Sequence, residues 1–203
     1  MEHYIRKEAL ECMARSALKR YRESYLNEEP QAVPIEAIIE NVFGLSIEYK
    51  RLTEKREILG KMICSDGYMP YYDDDKDDYA LMRVTAGTML IEAALAEPDA
   101  NYGRLRFTYA HELAHWMLHR KLLETSNEAA AMLSDDFFDD EDVFERQANY
   151  LAQALLMPNG QIKRCYNRLR AGMTHEQIVS EMARIFEVSK QAMGIRLNGI
   201  GLC

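Results

Sequence analysis

Phe107-Thr108-Tyr109-Ala110-His111-Glu112-Leu113-Ala114-His115-Trp116-Met117-Leu118-His119 is the stretch from which this chain is best read. It holds three of the five histidines, and its centre fits the pattern H-E-x-x-H. Residues 104–119 carry a helical pattern. On a helix, positions four apart are rotated by about 40° and separated by about 6 Å, so His111 and His115 share a face. Two imidazoles so placed can reach one zinc ion at about 2.0–2.1 Å. Glu112 lies beside that face, where it can take a proton from a water that zinc acidifies towards a pKa of about 7. Apolar Leu113, Ala114, Met117 and Leu118 make the helix semi-buried, which argues against His and Glu meeting by accident on an exposed face.

A catalytic zinc takes a third protein ligand and keeps a position open. A third histidine ten residues after the first, with a glycine seven after it, is excluded because Lys121 and Leu118 stand there. His119 lies about 12 Å along the axis from His111 and reads as a helix-end or rim residue. The better candidate is Glu145, 30 residues after His115, where Glu145-Arg146-Gln147-Ala148-Asn149 opens a second helix. A helix packed behind the first would offer Glu145 to the metal, and Asn149, one turn later, would steady a ligand histidine.

These motifs resemble the signature of the ImmA/IrrE family of metallo-endopeptidases. The resemblance rests on Phe107 to His115 with Leu118-His119, and on Glu145 to Asn149 with Tyr150-Leu151-Ala152 and Leu155-Leu156-Met157-Pro158. It extends to Phe186-Glu187-Val188-Ser189, Ala192 and Arg196-Leu197, is strongest over residues 104–200 and looser over 31–60. Ala114 stands where the family often has glycine. The resemblance implies a gluzincin-like zinc peptidase with His111, His115 and Glu145 on Zn2+ and Glu112 as base. It implies a protein substrate, a helix-turn-helix transcriptional repressor cut at one site to induce a mobile element or stress regulon. The alternative is a zinc-bearing regulator that binds a repressor or antitoxin without cutting it. Tyr109 and His119 are the nearby candidates for the oxyanion partner.

The expected fold is α+β and zincin-like, mostly helical, with a small mixed or antiparallel sheet and a C-terminal helix-turn-helix-like cap. The expected division is an N-terminal helix at 1–30, a metallopeptidase domain at 31–160 and a C-terminal helical segment packed on it at 161–203. Periodicity predicts helices over 2–26, 35–41 and 143–157, the second stopping at Gly44 and the third at Pro158 and Gly160. Strands are predicted at 45–50, 58–64 and 88–95. Five aspartates within residues 73–78 lack the glycine and terminal glutamate of a calcium loop and read as a solvated loop. Short helices open at Thr174, with Gln177 at capping-box spacing, and at Ser189. The acidic connection 124–142 is long enough to cover the cleft.

Composition bounds the rest. With 203 residues, 48% hydrophobic and 29% charged, the chain can bury a core without disulfides. Its net charge of −8 disfavours direct nucleic-acid binding, which needs a basic footprint. The tail, 161–203, has seven basic and three acidic residues, a net +4, and suits docking on the substrate repressor better than contact with DNA. Cys12, Cys64, Cys165 and Cys203 form no C-x-x-C pair and read as free thiols. No run of about 18 apolar residues is present, so no membrane partner is expected. Residues 1–7 lack the apolar stretch of a secretory signal, and a cytoplasmic protein is expected.

Overall fold

The computed structural model describes residues 5–125 and 138–202. Helix α1 (Lys7–Tyr21) buries Leu10, Ala14, Ala17 and Leu18, which recur at three- and four-residue spacing. After a 3-10 turn at Tyr25–Asn27, helix α2 (Ile35–Phe43) begins behind Pro34. It ends at Gly44, whose φ of +66° is the left-handed conformation that glycine adopts without a Cβ penalty.

Three strands form a mixed sheet in the order β1-β5-β2. β1 (Ser46–Lys50) runs parallel to β5 (Thr88–Glu92), and β2 (Gly60–Met62) runs antiparallel to it. β5 is central and buried along its whole length, consistent with its run of Met89, Leu90 and Ile91. Glu92, also buried, is satisfied by the Leu52 N–H at 2.8 Å. β2 is an edge strand, and its neighbour on the open side is the histidine helix. The predicted strands at 58–64 and 88–95 are thus present but shorter, the second passing into a 3-10 turn at Ala93–Ala96.

Between β2 and β5 the chain makes a second, two-stranded sheet, where the sequence predicts a loop at 73–78 and no strands. β3 (Gly67–Asp73) pairs antiparallel with β4 (Asp78–Val84). Pro70 is tolerated because a two-stranded ribbon leaves each strand one open side. The Tyr72 N–H, two residues on and facing the same way, bonds the Arg51 carbonyl outside the ribbon at 3.0 Å. The acidic run is the turn of this hairpin, with Asp73 and Asp78 as the last pair. Asp77 takes a positive φ of 52°, Lys76 pairs with Asp73 at 2.6 Å, and Arg51 pairs with Asp74.

The long helix α3 (Tyr102–Thr125) is opened by Asn101, whose side-chain oxygen accepts the Arg104 N–H at 3.1 Å. It packs against α4 (Phe138–Leu156) through Ala110, Leu113 and Ala114 on one side and Ala148, Leu151, Ala152 and Leu155 on the other, all fully buried. Small residues at such a seam let two helix axes approach closely. α4 starts earlier than the predicted 143. Its successor, α5 (Asn159–Leu169), starts directly behind Pro158, so Gly160 lies inside a helix rather than beyond one.

The tail forms α6 (His175–Phe186) and α7 (Lys190–Gly199). Thr174 and Gln177 make the expected reciprocal capping box, and Ser189 caps α7 by accepting the Ala192 N–H at 3.1 Å. The architecture is α+β, with the helix-turn-helix-like tail seated on the central helices. Arg196 of α7 is 1% exposed; its Nε donates to the Met157 carbonyl at 3.0 Å and its guanidinium lies 2.7 Å from Glu11 of α1. One hydrophobic cluster runs from Leu10 through α3 and α4 to Leu197. A smaller one, Leu52, Ile63, Met69, Val84 and Leu90, fastens the hairpin to the sheet. Residues 126–137, within the acidic connection, and Cys203 lie outside the described residues.

Candidate metal centre

α3 and α4 run in opposite directions past one another. His111 meets Asn149, His115 meets Glu145, and His119 meets Phe144. This antiparallel packing brings Glu145 to both histidines of the H-E-x-x-H pattern. His111 Nε2 lies 3.3 Å from one Glu145 oxygen and His115 Nε2 lies 3.1 Å from the other. The two Nε2 atoms are 3.0 Å apart. Among the described residues, this is the group of three side chains positioned to hold a metal ion.

The outer ring nitrogens explain why the inner ones face each other. His111 Nδ1 is 3.2 Å from Asn149 Oδ1, an acceptor, so the ring proton is assigned to Nδ1 and the Nε2 lone pair points inward. His115 Nδ1 is 3.2 Å from His119 Nδ1. The same assignment for His115 makes His119 the acceptor and leaves a second lone pair pointing inward. Two imidazole lone pairs and a carboxylate then converge, an arrangement that needs a cation or a proton between them. Tetrahedral bonds of 2.0–2.1 Å put ligand atoms about 3.3 Å apart, close to the observed edges, so the residues fit a divalent metal. The same need is visible in the titration behaviour. Burial pushes the His111 imidazole down, but the hydrogen bond and charge of Glu145, with the charge of Glu112, outweigh it and leave it above its usual value. Where protons on the two Nε2 atoms take the place of a metal, their hydrogen bonds hold Glu145 well below the ordinary carboxylate range.

Glu112 sits beside this triad and is 7% exposed. Burial raises its pKa, opposed by the charges of His115 and His111 and by the Met62 N–H of β2. The strand comes this close because residue 60 is glycine. A Cβ there would lie 2.7 Å from Thr108 Cγ2 and 2.8 Å from Glu112 Cγ and Oε1. Gly60→Ala is therefore expected to destabilise the fold by about 1–3 kcal/mol through overpacking, measured by urea unfolding, and to displace Glu112 or β2. An unchanged unfolding midpoint would show that the strand yields freely.

Two expectations need correction. His119 is not a rim residue: it is 2% exposed, lies against the Phe144 ring at 4.5 Å and supports His115 from behind. Burial and the neighbouring His115 charge lower its pKa to about 4, so it stays a neutral acceptor. Its spacing of four from His115 was the available signal. Tyr109 is fully buried and its hydroxyl bonds that of Tyr49 on β1, so it serves the core rather than the cleft. Neither residue is presented as an oxyanion donor. Asn149 does meet His111 as expected, and Asn149→Ala is expected to weaken metal binding by about 10- to 100-fold, measured by competition with a chromogenic chelator.

Cys12 is exposed, and Cys64 and Cys165 are buried cysteines outside this group. No helix among the described residues is long and apolar enough to cross a membrane.

The site falls inside the part of the chain that has known relatives. Among solved structures, a Mycobacterium tuberculosis transcriptional regulator superposes with a TM-score of 0.53 at 15% identity, covering 96% of this chain and 47% of its own. That likeness is one of fold, and this chain spans about half the length of that regulator. No curated protein matches the chain. Residues 74–198, which include His111, Glu112, His115, Glu145 and Asn149, match Peptidase_M78, the IrrE N-terminal-like domain. With well over half its length matched and a His-His-Glu group positioned for a metal, the chain belongs to this family of metal-dependent peptidases.

Proposed function

We propose that the protein is a zinc-dependent endopeptidase, with His111, His115 and Glu145 as metal ligands and Glu112 as the catalytic base, and that it cuts a helix-turn-helix transcriptional repressor at one site. The observation that carries this reading is the convergence of two imidazole lone pairs and a carboxylate beside a buried glutamate. When bound, zinc supplies Lewis acidity towards a carbonyl and lowers the pKa of water towards about 7. Three protein ligands leave a tetrahedral position for that chemistry.

The chain's own residues supply the rest. Asn149 and His119 hold the two ligand rings in one tautomer and orientation. Glu112 accepts the proton of the attacking water and hands it to the leaving amine. Burial raises its pKa above the ordinary carboxylate value, which favours taking up the proton that it later returns. A centre serving structure alone has no use for a buried carboxylate beside its ligands that is not itself a ligand, which favours catalysis over binding without cleavage. β2 is the strand beside Glu112, whose carboxylate accepts its Met62 N–H.

The test is co-expression with the helix-turn-helix repressor encoded nearest the gene, followed by intact mass of that repressor. The expected result is one new pair of fragments with the wild-type protein. An intact repressor in the presence of metal-loaded protein would count against this substrate.

A further inference from the structure

The β3–β4 hairpin has two unlike faces. Its inner face, Met69, Met82 and Val84, packs on Leu52, Ile63 and Leu90. A half-buried antiparallel ribbon ordinarily turns polar side chains outward. Here the outward positions are Tyr68, Pro70, Tyr72, Tyr79, Leu81 and Arg83; Tyr72, against Tyr79, is buried, but Tyr68 is 74%, Leu81 72% and Tyr79 50% exposed. Three of the five most exposed large apolar side chains among the described residues thus share one small face, which marks an interaction surface rather than scattered surface residues.

We propose that this outer face is a docking surface for a basic, apolar-faced segment of the protein substrate, gripping it at a distance from the metal centre. Charge selects this occupant. Residues 67–84 contain five aspartates against Lys76 and Arg83, a net −3, and the aspartates crowd the turn beside the apolar face. A second copy of this chain would bring the same negative turn and be repelled, whereas a basic partner gains on both counts. Tyrosines suit such a face because they combine a large apolar ring with a polar tip. Position makes the surface useful. Met62, whose N–H meets Glu112, is only five residues before Gly67, so the root of the hairpin lies at most about 18 Å from Met62. A substrate held there presents a neighbouring segment to the metal centre. The proposal rests on the reading that the chain acts on a DNA-binding protein, whose phosphate-facing surface is basic.

Binding and cleavage are measured separately, so that the two readings fail separately. The purified repressor encoded nearest the gene is titrated against full-length Glu112→Gln protein, which holds it uncut, with the native hairpin or with Tyr68→Ser and Leu81→Ser together. The native hairpin is expected to bind, more weakly as salt rises. The double variant is expected to bind about tenfold more weakly at an unchanged unfolding midpoint, since two contact side chains are lost. Asp75→Lys, an exposed single change that spares the apolar face, is expected to weaken binding about threefold and to flatten its salt dependence. Equal binding by all forms, or no binding by the native hairpin, would overturn the docking surface. Cleavage of the same repressor by the wild-type chain reports on the peptidase alone: a repressor that is cut yet bound equally by all forms leaves the peptidase standing without the hairpin. One that is bound through the hairpin yet never cut does the reverse.

Discussion

Glu112→Gln is expected to keep one metal ion per chain and to lose cleavage by about 10²- to 10⁴-fold, the range for removal of a positioned proton carrier. The reasoning is geometric as well as chemical. Glutamine matches glutamate in volume, so the tight packing against Gly60 and Thr108 is kept, and its amide oxygen can still accept the Met62 N–H. What it cannot do is take and return a proton. Because Glu112 is not among the three converging ligand atoms, metal content is expected to be unchanged, and that separates loss of base from loss of metal. Metal analysis and cleavage of the repressor are read on the same preparation. A variant that cuts normally removes Glu112 from the mechanism; one that is inactive but metal-free assigns it a structural role.

Glu145→Ala is expected to weaken metal binding by more than about 100-fold, beyond the 10- to 100-fold typical of outer partners such as Asn149. The change removes the one negatively charged member of the triad and leaves two imidazoles 3.0 Å apart with no carboxylate facing them. If Glu145 were merely a solvated residue in α4, as its half-exposed side chain would permit, affinity would stay at the wild-type value. Chelator competition decides between these outcomes. Glu145→Asp, one methylene shorter, is expected to fall between wild type and alanine, because it keeps the charge but shortens the reach across the helix seam.

The site was legible in the sequence to the extent that helical spacing fixes faces. His111 and His115 four apart, and Glu145 with Asn149 four apart, each mark one turn of a helix, and the Ala-rich stretches flanking them mark the seam where the two helices meet. His119 was misread because distance along the axis from His111 was weighed, whereas its one-turn spacing from His115 places it behind that ring. Tyr109 was misread because proximity in sequence says nothing of direction: two residues from His111, it points to β1. The contact of Gly60 and Met62 with Glu112 links residues some 50 positions apart and leaves no local trace beyond a glycine in a short strand.

The helices were easier to read than the sheets. Gly44, Thr174 with Gln177, and Ser189 act through bonds to residues within a turn, so their chemistry is local. The β3–β4 hairpin was missed because Pro70 and five aspartates are poor strand and good turn residues. What overrides them is tertiary: Met69, Met82 and Val84 bury one face of the ribbon on Leu52, Ile63 and Leu90. The apolar residues of its other face break the alternation by which such a strand is recognised.

The central claim, that His111, His115 and Glu145 share one catalytic metal, is tested most directly by X-ray absorption at the zinc edge on protein reconstituted with one equivalent of zinc. Two imidazole nitrogens at about 2.0–2.1 Å and light oxygen ligands at about 2.0–2.2 Å are expected, with no sulfur, and this spectrum is expected to be lost in Glu145→Ala. A sulfur shell at about 2.3 Å, placing the metal on a cysteine, or a spectrum unaltered by Glu145→Ala, would contradict the claim.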